Sequence, residues 1–196
     1  MRALFIEHDH VSLGGPIWRA FEKHGYEIER FLIVPEDKYA TPNLEVTFPN
    51  FFDYDVIVPM GAPYGAYEDD RIGKWLIPEL NKLQAAHNAG IPILGICYGM
   101  QTLAEQFGGQ VTASSTKEFG HASITLEKAS TLFHDFDAGS KIDVWMSHGD
   151  HVSSLPDQFN LIASTPSAPI AAMAHSEKPI YALQFHPEVT HTKEGN

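Results

Sequence analysis

The segment IPILGICYGMQ (residues 91–101) contains the strand-to-helix transition on which the fold prediction rests. Its first six residues form a short, mostly apolar run, which predicts a buried strand. Residues 100–107 have helical spacing and are followed by a Gly-Gly pair, which predicts a helix and its end. Between the two elements, Gly95 and Gly99 flank Cys97 with the G-x-S-x-G spacing of a nucleophile elbow, in which Cys replaces Ser.

This spacing gives Cys97 the setting of a reactive residue. A sharp strand-to-helix turn forces the central residue into a strained conformation, and flanking glycines remove Cβ atoms that would clash. The sulfur then lies at a helix N-terminus, where the dipole favours thiolate over thiol. The N–H of Tyr98 points to where an oxyanion would form. We therefore predict a nucleophile; the alternative is a structural cysteine in a glycine-flanked turn.

The first half of the chain repeats this strand-and-helix pattern. Apolar runs at residues 3–6, 28–34 and 56–58 predict three further buried strands, and two of the segments between strands have helical spacing. In the second of these segments, which ends at Gly90, we expect Pro78 to kink or restart the helix. Short buried strands that alternate with helices predict a doubly wound, mostly parallel α/β sheet flanked by helices.

The second half is richer in strands that are separated only by turns. We expect added antiparallel or mixed strands in this half. No linker separates the two halves, so we predict a single domain over residues 1–196. The predicted strands of the second half are residues 123–126, 142–146, 161–163, 170–174 and 180–185.

Composition argues against several functional classes. The 25 acidic and 13 basic residues give a formal net charge of −12, which disfavours sequence-independent binding to nucleic acid or to an anionic membrane. No apolar run approaches the roughly 20 residues that a membrane-spanning helix needs, and no signal-peptide pattern is visible. We expect a cytoplasmic protein. A single cysteine makes an intramolecular disulfide impossible and disfavours a Cys-based zinc site.

A second motif supplies a base for the cysteine. The sequence Gln184-Phe185-His186-Pro187-Glu188 follows the last apolar strand, at a sheet edge where catalytic loops gather. A cysteine nucleophile needs a base that also protonates the leaving amine, usually a histidine oriented by a third group. We predict that His186 is this base and that Glu188 fixes its tautomer. Taken alone, His-Pro-Glu is more often a plain turn.

Together, the two motifs resemble a known family. The sequences at residues 95–101 and 184–189 resemble the nucleophile and His/Glu motifs of class I, triad-type glutamine amidotransferases. Between about residues 91 and 194 the chain is most similar to the glutaminase domain or subunit of GMP synthetases. The resemblance implies an enzyme that cuts ammonia from glutamine and needs no cofactor. It also implies a partner: an ATP-pyrophosphatase domain or subunit that aminates XMP to GMP. The segments that carry this specific similarity are residues 117–122, 144–150, 162–165 and 186–192.

The resemblance also implies roles for individual residues. Cys97, His186 and Glu188 would form a catalytic triad. The backbone N–H groups of Tyr98 and Ala62 would form the oxyanion hole. Four further residues would bind the substrate, including its α-amino and carboxylate groups: Gly61, Gln101, Ser147 and His148.

The chain departs from the family pattern at two places. Similar proteins carry Ser-Gly-Gly-Pro after the third strand, where this chain has Met60-Gly61-Ala62-Pro63. A positive φ at Ala62 would cost about 1 kcal/mol or more. The resemblance also leads one to expect a further helix after Asn196, so we expect that the domain lacks a closing C-terminal helix.

Other functions stay open at this point. Residues 61–69 resemble stand-alone amidotransferase-like proteins, so a hydrolase of γ-glutamyl compounds is one alternative. A catalytically quiet regulatory module is another, disfavoured because all three triad residues are present. A metal site at residues 8–10 or around residues 148–151 is a third. Neither His/Asp cluster matches an established metal spacing, so we predict none.

Overall fold

The computed structural model describes residues 1–189, 191 and 192, and the side chains of all of these except residues 114–116. Thr190, which belongs to one of the similarity segments, lies outside the described residues. The strands are β1 (Arg2–Asp9), β2 (Glu27–Val34), β3 (Val56–Pro59), β4 (Ile93–Ile96), β5 (Gln110–Leu126), β6 (Lys141–Ser154), β7 (Phe159–Ser164), β8 (Ala172–His175) and β9 (Ile180–Leu183). The helices are α1 (Pro16–Lys23), α2 (Asp69–Ala89) and α3 (Tyr98–Gln106), with short 3-10 turns at Glu36–Lys38, Phe51–Asp53 and Thr131–Phe133.

In this part of the chain the strands form one sheet, in the order β2-β1-β3-β4-β9-β8-β7-β5-β6. The strands from β2 to β9 in this order are parallel. The strands from β8 to β6 pair in antiparallel fashion. The predicted fold, a parallel α/β sheet with added antiparallel strands in the second half, is confirmed.

The parallel strands are buried because helices cover both faces of the sheet. Every residue of β3 is buried, and so are seven of the eight residues of β1. On one face, α2 and α3 bury Trp75 and Leu103 against Leu4 and other strand residues. On the other face, Ile17 of α1 packs in a cluster with apolar strand residues. Such two-sided burial is the reason that these strands appear in the sequence as continuous apolar runs.

Helix α2 and strands β5 and β6 are longer than the sequence patterns predicted. Helix α2 runs without interruption from Asp69 to Ala89, so Pro78 does not restart it. Its buried face continues on both sides of the proline, from Trp75 to Leu83, and this packing outweighs one lost backbone hydrogen bond. Strands β5 and β6 have 17 and 14 residues, far more than the segments predicted. Many of their side chains are exposed or half-buried, so apolar runs mark only part of each strand.

The carboxyl ends of β1, β3, β4 and β9 lie at one edge of the sheet, since these strands are parallel neighbours. The loops that follow them carry the segments beginning at His10, Met60, Cys97 and Gln184. Among the helices of the described residues, none is both long enough and apolar enough to cross a membrane.

Candidate active site

Cys97 occupies a strained turn between β4 and α3. Its φ of 54° and ψ of −105° make it the one non-glycine residue with positive φ in the described part of the chain. A Cβ added to Gly99 would lie 2.1 Å from the carbonyl oxygen of Pro59, and one added to Gly95 would lie 2.7 Å from the carbonyl oxygen of Gly99. Both glycines are therefore required by close backbone approach, as the elbow interpretation predicted. Such strain, of order 1–3 kcal/mol, is typical of functional residues.

His186 and Glu188 form a close pair beside this cysteine. The Nδ1 atom of His186 lies 2.6 Å from Oε1 of Glu188, and both side chains are mostly buried. A Cβ added to Gly61 would lie 3.3 Å from Cε1 of His186 and 3.8 Å from Cβ of Cys97. The imidazole and the cysteine therefore both adjoin Gly61. With Nδ1 bound to Glu188, the buried Nε2 is the ring atom left to act toward Cys97.

The surroundings of His186 favour its protonated form. Burial by itself lowers the pKa of the imidazole. The interactions with Cys97 and Glu188 outweigh burial and raise the pKa from 6.5 to about 11. At neutral pH the ring is therefore an imidazolium that has a proton to give to a leaving amine.

The predicted oxyanion donors carry N–H groups that the fold leaves available. Within the described residues, the N–H of Ala62 and that of Tyr98 donate no backbone hydrogen bond. For Tyr98 the reason is its place in the first turn of α3, where N–H groups have no helical acceptor. Ala62 does not have a positive φ, so the cost considered for this departure from the family pattern does not arise.

A cavity of about 600 Å³ opens beside Cys97 and His186. The four residues predicted to bind the substrate line it together: Gly61, Gln101, Ser147 and His148. Their side chains differ in what they offer to a ligand. The amide nitrogen of Gln101 donates to the carbonyl oxygen of Asp150 (2.9 Å) and to Oε1 of Gln184 (3.3 Å). The oxygen of Gln101 is thus the atom left for a ligand.

His148 is a neutral wall residue of this cavity. Burial lowers its pKa, an effect that the nearby carboxylate of Glu118, 3.3 Å from Nε2, only partly offsets. At neutral pH the ring therefore carries no charge with which to attract a carboxylate. His148 can therefore contact a substrate only through hydrogen bonds of its neutral ring or of its backbone.

Gln184 is a further site residue, one to which the sequence pattern assigned no role. Its side chain is fully buried, and Nε2 lies 3.8 Å from the sulfur of Cys97. The sulfur is also 3.6 Å from the carbonyl oxygen of Ser147, so it lies between β6 and the end of β9. The signal available in the sequence was a polar residue directly after a buried strand.

The two His/Asp clusters considered as metal sites have other partners. His8 contacts Gly61 and Glu79, and His148 contacts Glu118. Over the described residues, no group of three or more His, Cys, Asp or Glu side chains is arranged to hold a metal ion.

Several known proteins are similar to this chain. The family model described as glutamine amidotransferase class-I matches residues 17–196. The GMP synthase [glutamine-hydrolyzing] of Teredinibacter turnerae is 54% identical over 118 residues, which cover 57% of this chain and 22% of that protein. The GMP synthase [glutamine-hydrolyzing] of Tolumonas auensis is 47% identical over 150 residues, which cover 74% of this chain and 27% of that protein. The chain thus spans about a quarter of the length of these curated relatives.

Two solved structures share the fold. A glutamine amidotransferase from Thermotoga maritima superposes with a TM-score of 0.82 at 23% identity, covering 96% of this chain and 76% of the other. A putative GMP synthase subunit from Thermoplasma acidophilum superposes with a TM-score of 0.73 at 29% identity, covering 100% of this chain and 88% of the other.

Proposed function

Because this chain belongs to the class-I glutamine amidotransferase family, we propose that it hydrolyses glutamine to glutamate and ammonia, and that the ammonia serves GMP synthesis. One observation carries the catalytic part. A cysteine in a strained elbow lies in the same cavity wall as an imidazolium that is held 2.6 Å from a carboxylate. This is the arrangement that acyl transfer through a thioester requires.

In the first step, the thiolate of Cys97 attacks the side-chain amide carbon of glutamine. The oxyanion that forms accepts hydrogen bonds from the N–H groups of Tyr98 and Ala62. The imidazolium of His186 then gives its Nε2 proton to the amide nitrogen, the C–N bond breaks, and ammonia leaves. A γ-glutamyl thioester and a neutral imidazole remain. Glu188 holds the ring through Nδ1 throughout.

In the second step, the neutral imidazole of His186 takes a proton from water, and the hydroxide that forms attacks the thioester carbon. The same two N–H groups hold the second oxyanion. Its collapse breaks the C–S bond and releases glutamate. The thiolate of Cys97 and the imidazolium are restored, so one water is consumed for each glutamine.

The ammonia acceptor is inferred from the relatives. Those cited above are named GMP synthase, and this chain matches about a quarter of their length. The remaining length in such proteins has room for a synthetase part. We therefore propose that this chain delivers ammonia to an ATP-pyrophosphatase domain or subunit that converts XMP to GMP. Free ammonia is wasteful, so we expect weak activity in the isolated chain.

Glutamate release from glutamine tests this proposal. Wild type and Cys97→Ala are each assayed alone and with a GMP-synthetase ATP-pyrophosphatase domain, ATP and XMP. We expect wild-type activity that rises with the partner and disappears in the variant. Activity that does not respond to the partner would refute the link to GMP synthesis. No glutamate under any condition would refute the glutaminase itself.

A second function on the same scaffold is favoured by the size of the cavity. At about 600 Å³, it extends beyond the surroundings of Cys97 to Tyr67, Lys117 and Phe119, and so offers more room than a single glutamine needs. A stand-alone hydrolase would use this space for larger γ-glutamyl compounds. Turnover of γ-glutamyl peptides without any partner, faster than turnover of glutamine, would establish this alternative.

A further inference from the structure

We propose that His8, held by Glu79, is a positioning residue that aligns the oxyanion hole. The inference rests on the proposed function, because it assigns a role within the same reaction. His8 lies at the end of β1 and Glu79 lies on α2, and both side chains are completely buried. Neither residue belongs to the predicted triad or to the predicted substrate-binding set.

The two residues connect α2 to the loop after β3. Nδ1 of His8 lies 3.2 Å from the carbonyl oxygen of Gly61. Nε2 lies 3.0 and 3.2 Å from the two carboxylate oxygens of Glu79. The imidazole is thus held at both nitrogens, between helix α2 and the loop after β3.

The contact to Gly61 matters because of the peptide unit to which that carbonyl belongs. The C=O of Gly61 and the N–H of Ala62 are parts of one planar amide and point in opposite directions. A hydrogen bond that fixes the carbonyl therefore also fixes the direction of the N–H, which is a proposed oxyanion donor. Donation to the carbonyl oxygen also polarises the amide and strengthens the N–H as a donor.

The hydrogen-bond chemistry defines which ring atom carries a proton. A carbonyl oxygen only accepts, so Nδ1 of His8 must be the donor to Gly61. Glu79 satisfies Nε2 whether the shared proton lies on the ring or on the carboxyl group. The carbonyl of Gly61 therefore holds one proton on Nδ1, and a further proton lies between Nε2 and the carboxyl group of Glu79.

His8 also contacts the residue that carries the second donor. Its ring centroid is 4.7 Å from that of Tyr98, in an edge-on arrangement. Trp75 closes the same aromatic cluster at 5.6 Å from His8. The imidazole thus contacts the ring of one donor residue, Tyr98, and the peptide unit that carries the N–H of the other. Stability alone does not account for such a pair, because apolar residues of similar volume often replace buried ion pairs without loss.

Two amide variants of His8 distinguish alignment of the Gly61 carbonyl from packing of the buried side chain. In His8→Asn the amide nitrogen occupies the position of Nδ1 relative to Cβ and still reaches the carbonyl of Gly61. In His8→Gln the amide nitrogen occupies the position of Nε2 and does not. We expect kcat for glutamine hydrolysis to fall roughly 10- to 100-fold in His8→Gln, less than the 10²–10³-fold loss of a whole donor. In His8→Asn we expect a fall of less than about fivefold, with KM nearly unchanged in both.

Two further readouts do not depend on turnover. Alkylation of Cys97 by iodoacetamide forms no oxyanion, so its rate should be equal in wild type and both variants. Glutamate γ-semialdehyde forms a thiohemiacetal that does occupy the oxyanion hole, so its affinity should fall in His8→Gln by the same factor as kcat. His87→Gln, which removes another buried imidazole of the chain, is the matched control and should change neither quantity.

The results test the positioning role of His8 separately from the proposed glutaminase function. The positioning proposal is overturned if kcat falls equally in His8→Asn and His8→Gln. It is also overturned if alkylation of Cys97 slows together with kcat, because either result shows a merely structural role. If wild type binds the aldehyde more tightly than His8→Gln does but releases no glutamate, the proposed function is overturned and the positioning role stands. Wild type that binds no aldehyde overturns both.

Discussion

Gly99→Ala tests whether the elbow of Cys97 depends on close packing of α3 against β3. A Cβ at this position would lie 2.1 Å from the carbonyl oxygen of Pro59 and 2.8 Å from its carbonyl carbon. Both atoms belong to the backbone of a central strand, so no side-chain rotation relieves the contact. Helix α3, the strand, or both must move, and the strained backbone of Cys97 moves with them.

The magnitude follows from two opposing effects. Forced overpacking of this kind costs about 3 kcal/mol. The better helix propensity of alanine returns at most about 1 kcal/mol. The net loss of about 2 kcal/mol lowers Tm by roughly 4–8 °C in a domain of this size. Because the nucleophile is displaced, we also expect glutaminase activity to fall at least tenfold.

A matched control is available on α2. In Gly73→Ala the nearest atom to the new Cβ is Cδ1 of Ile77 at 3.8 Å, an ordinary contact. This variant should therefore gain up to about 1 kcal/mol and raise Tm by roughly 2–4 °C. Thermal unfolding of both variants, with glutamate release as the activity assay, checks the prediction. A Gly99→Ala protein with the Tm and activity of wild type would refute the packing argument.

Three further predictions concern the triad. Gly61→Ala should lower kcat about 3- to 10-fold with an unchanged Tm, because the new Cβ, 3.3 Å from Cε1 of His186, displaces the imidazole by a few tenths of an ångström; an unchanged kcat would contradict this. Glu188→Gln should lower kcat roughly 10²–10⁴-fold, since the tautomer is no longer held, and wild-type rates would remove Glu188 from the mechanism. NMR titration should give His186 a pKa of about 11 in wild type and lower values in Glu188→Gln and Cys97→Ala, since both partners raise it. The raised pKa of His186 adds to the free energy of unfolding. This contribution is complete when the pH is below the unfolded-state pKa of about 6.5, and it is lost as the pH rises through about 11. A ring that titrates near 6.5 in wild type would refute the imidazolium.

The two proposed oxyanion residues show what a sequence motif predicts and what it leaves open. Tyr98 follows the nucleophile directly, so its N–H lies in the first turn of α3. For Ala62 the family pattern raised the question of a positive φ, which the backbone does not adopt. Glycine is instead needed one residue earlier, because Gly61 adjoins His186 and Cys97. That requirement is a tertiary contact, and no local pattern reveals it.

The Glu79 position illustrates why a helical pattern alone is insufficient. The spacing of apolar residues predicted α2, but it gave no indication that the carboxylate of Glu79 is fully buried. A glutamate at such a position is buried only because His8, 71 residues away in sequence, supplies a partner. Sequence periodicity predicts which face of a helix is buried. It does not predict which side chains from other elements contact that face.

The sequence by itself determined the alternation of strands and helices, the elbow at Cys97 and the His186-Glu188 pair. These features depend on local periodicity, on glycine spacing, and on residues two positions apart, all of which are short-range properties of a chain. The tertiary structure decided the reach of Gln184 to a sulfur 87 residues away and the link from His8 to Gly61. Such contacts depend on the order and register of strands in the sheet, which form only when distant segments pack together.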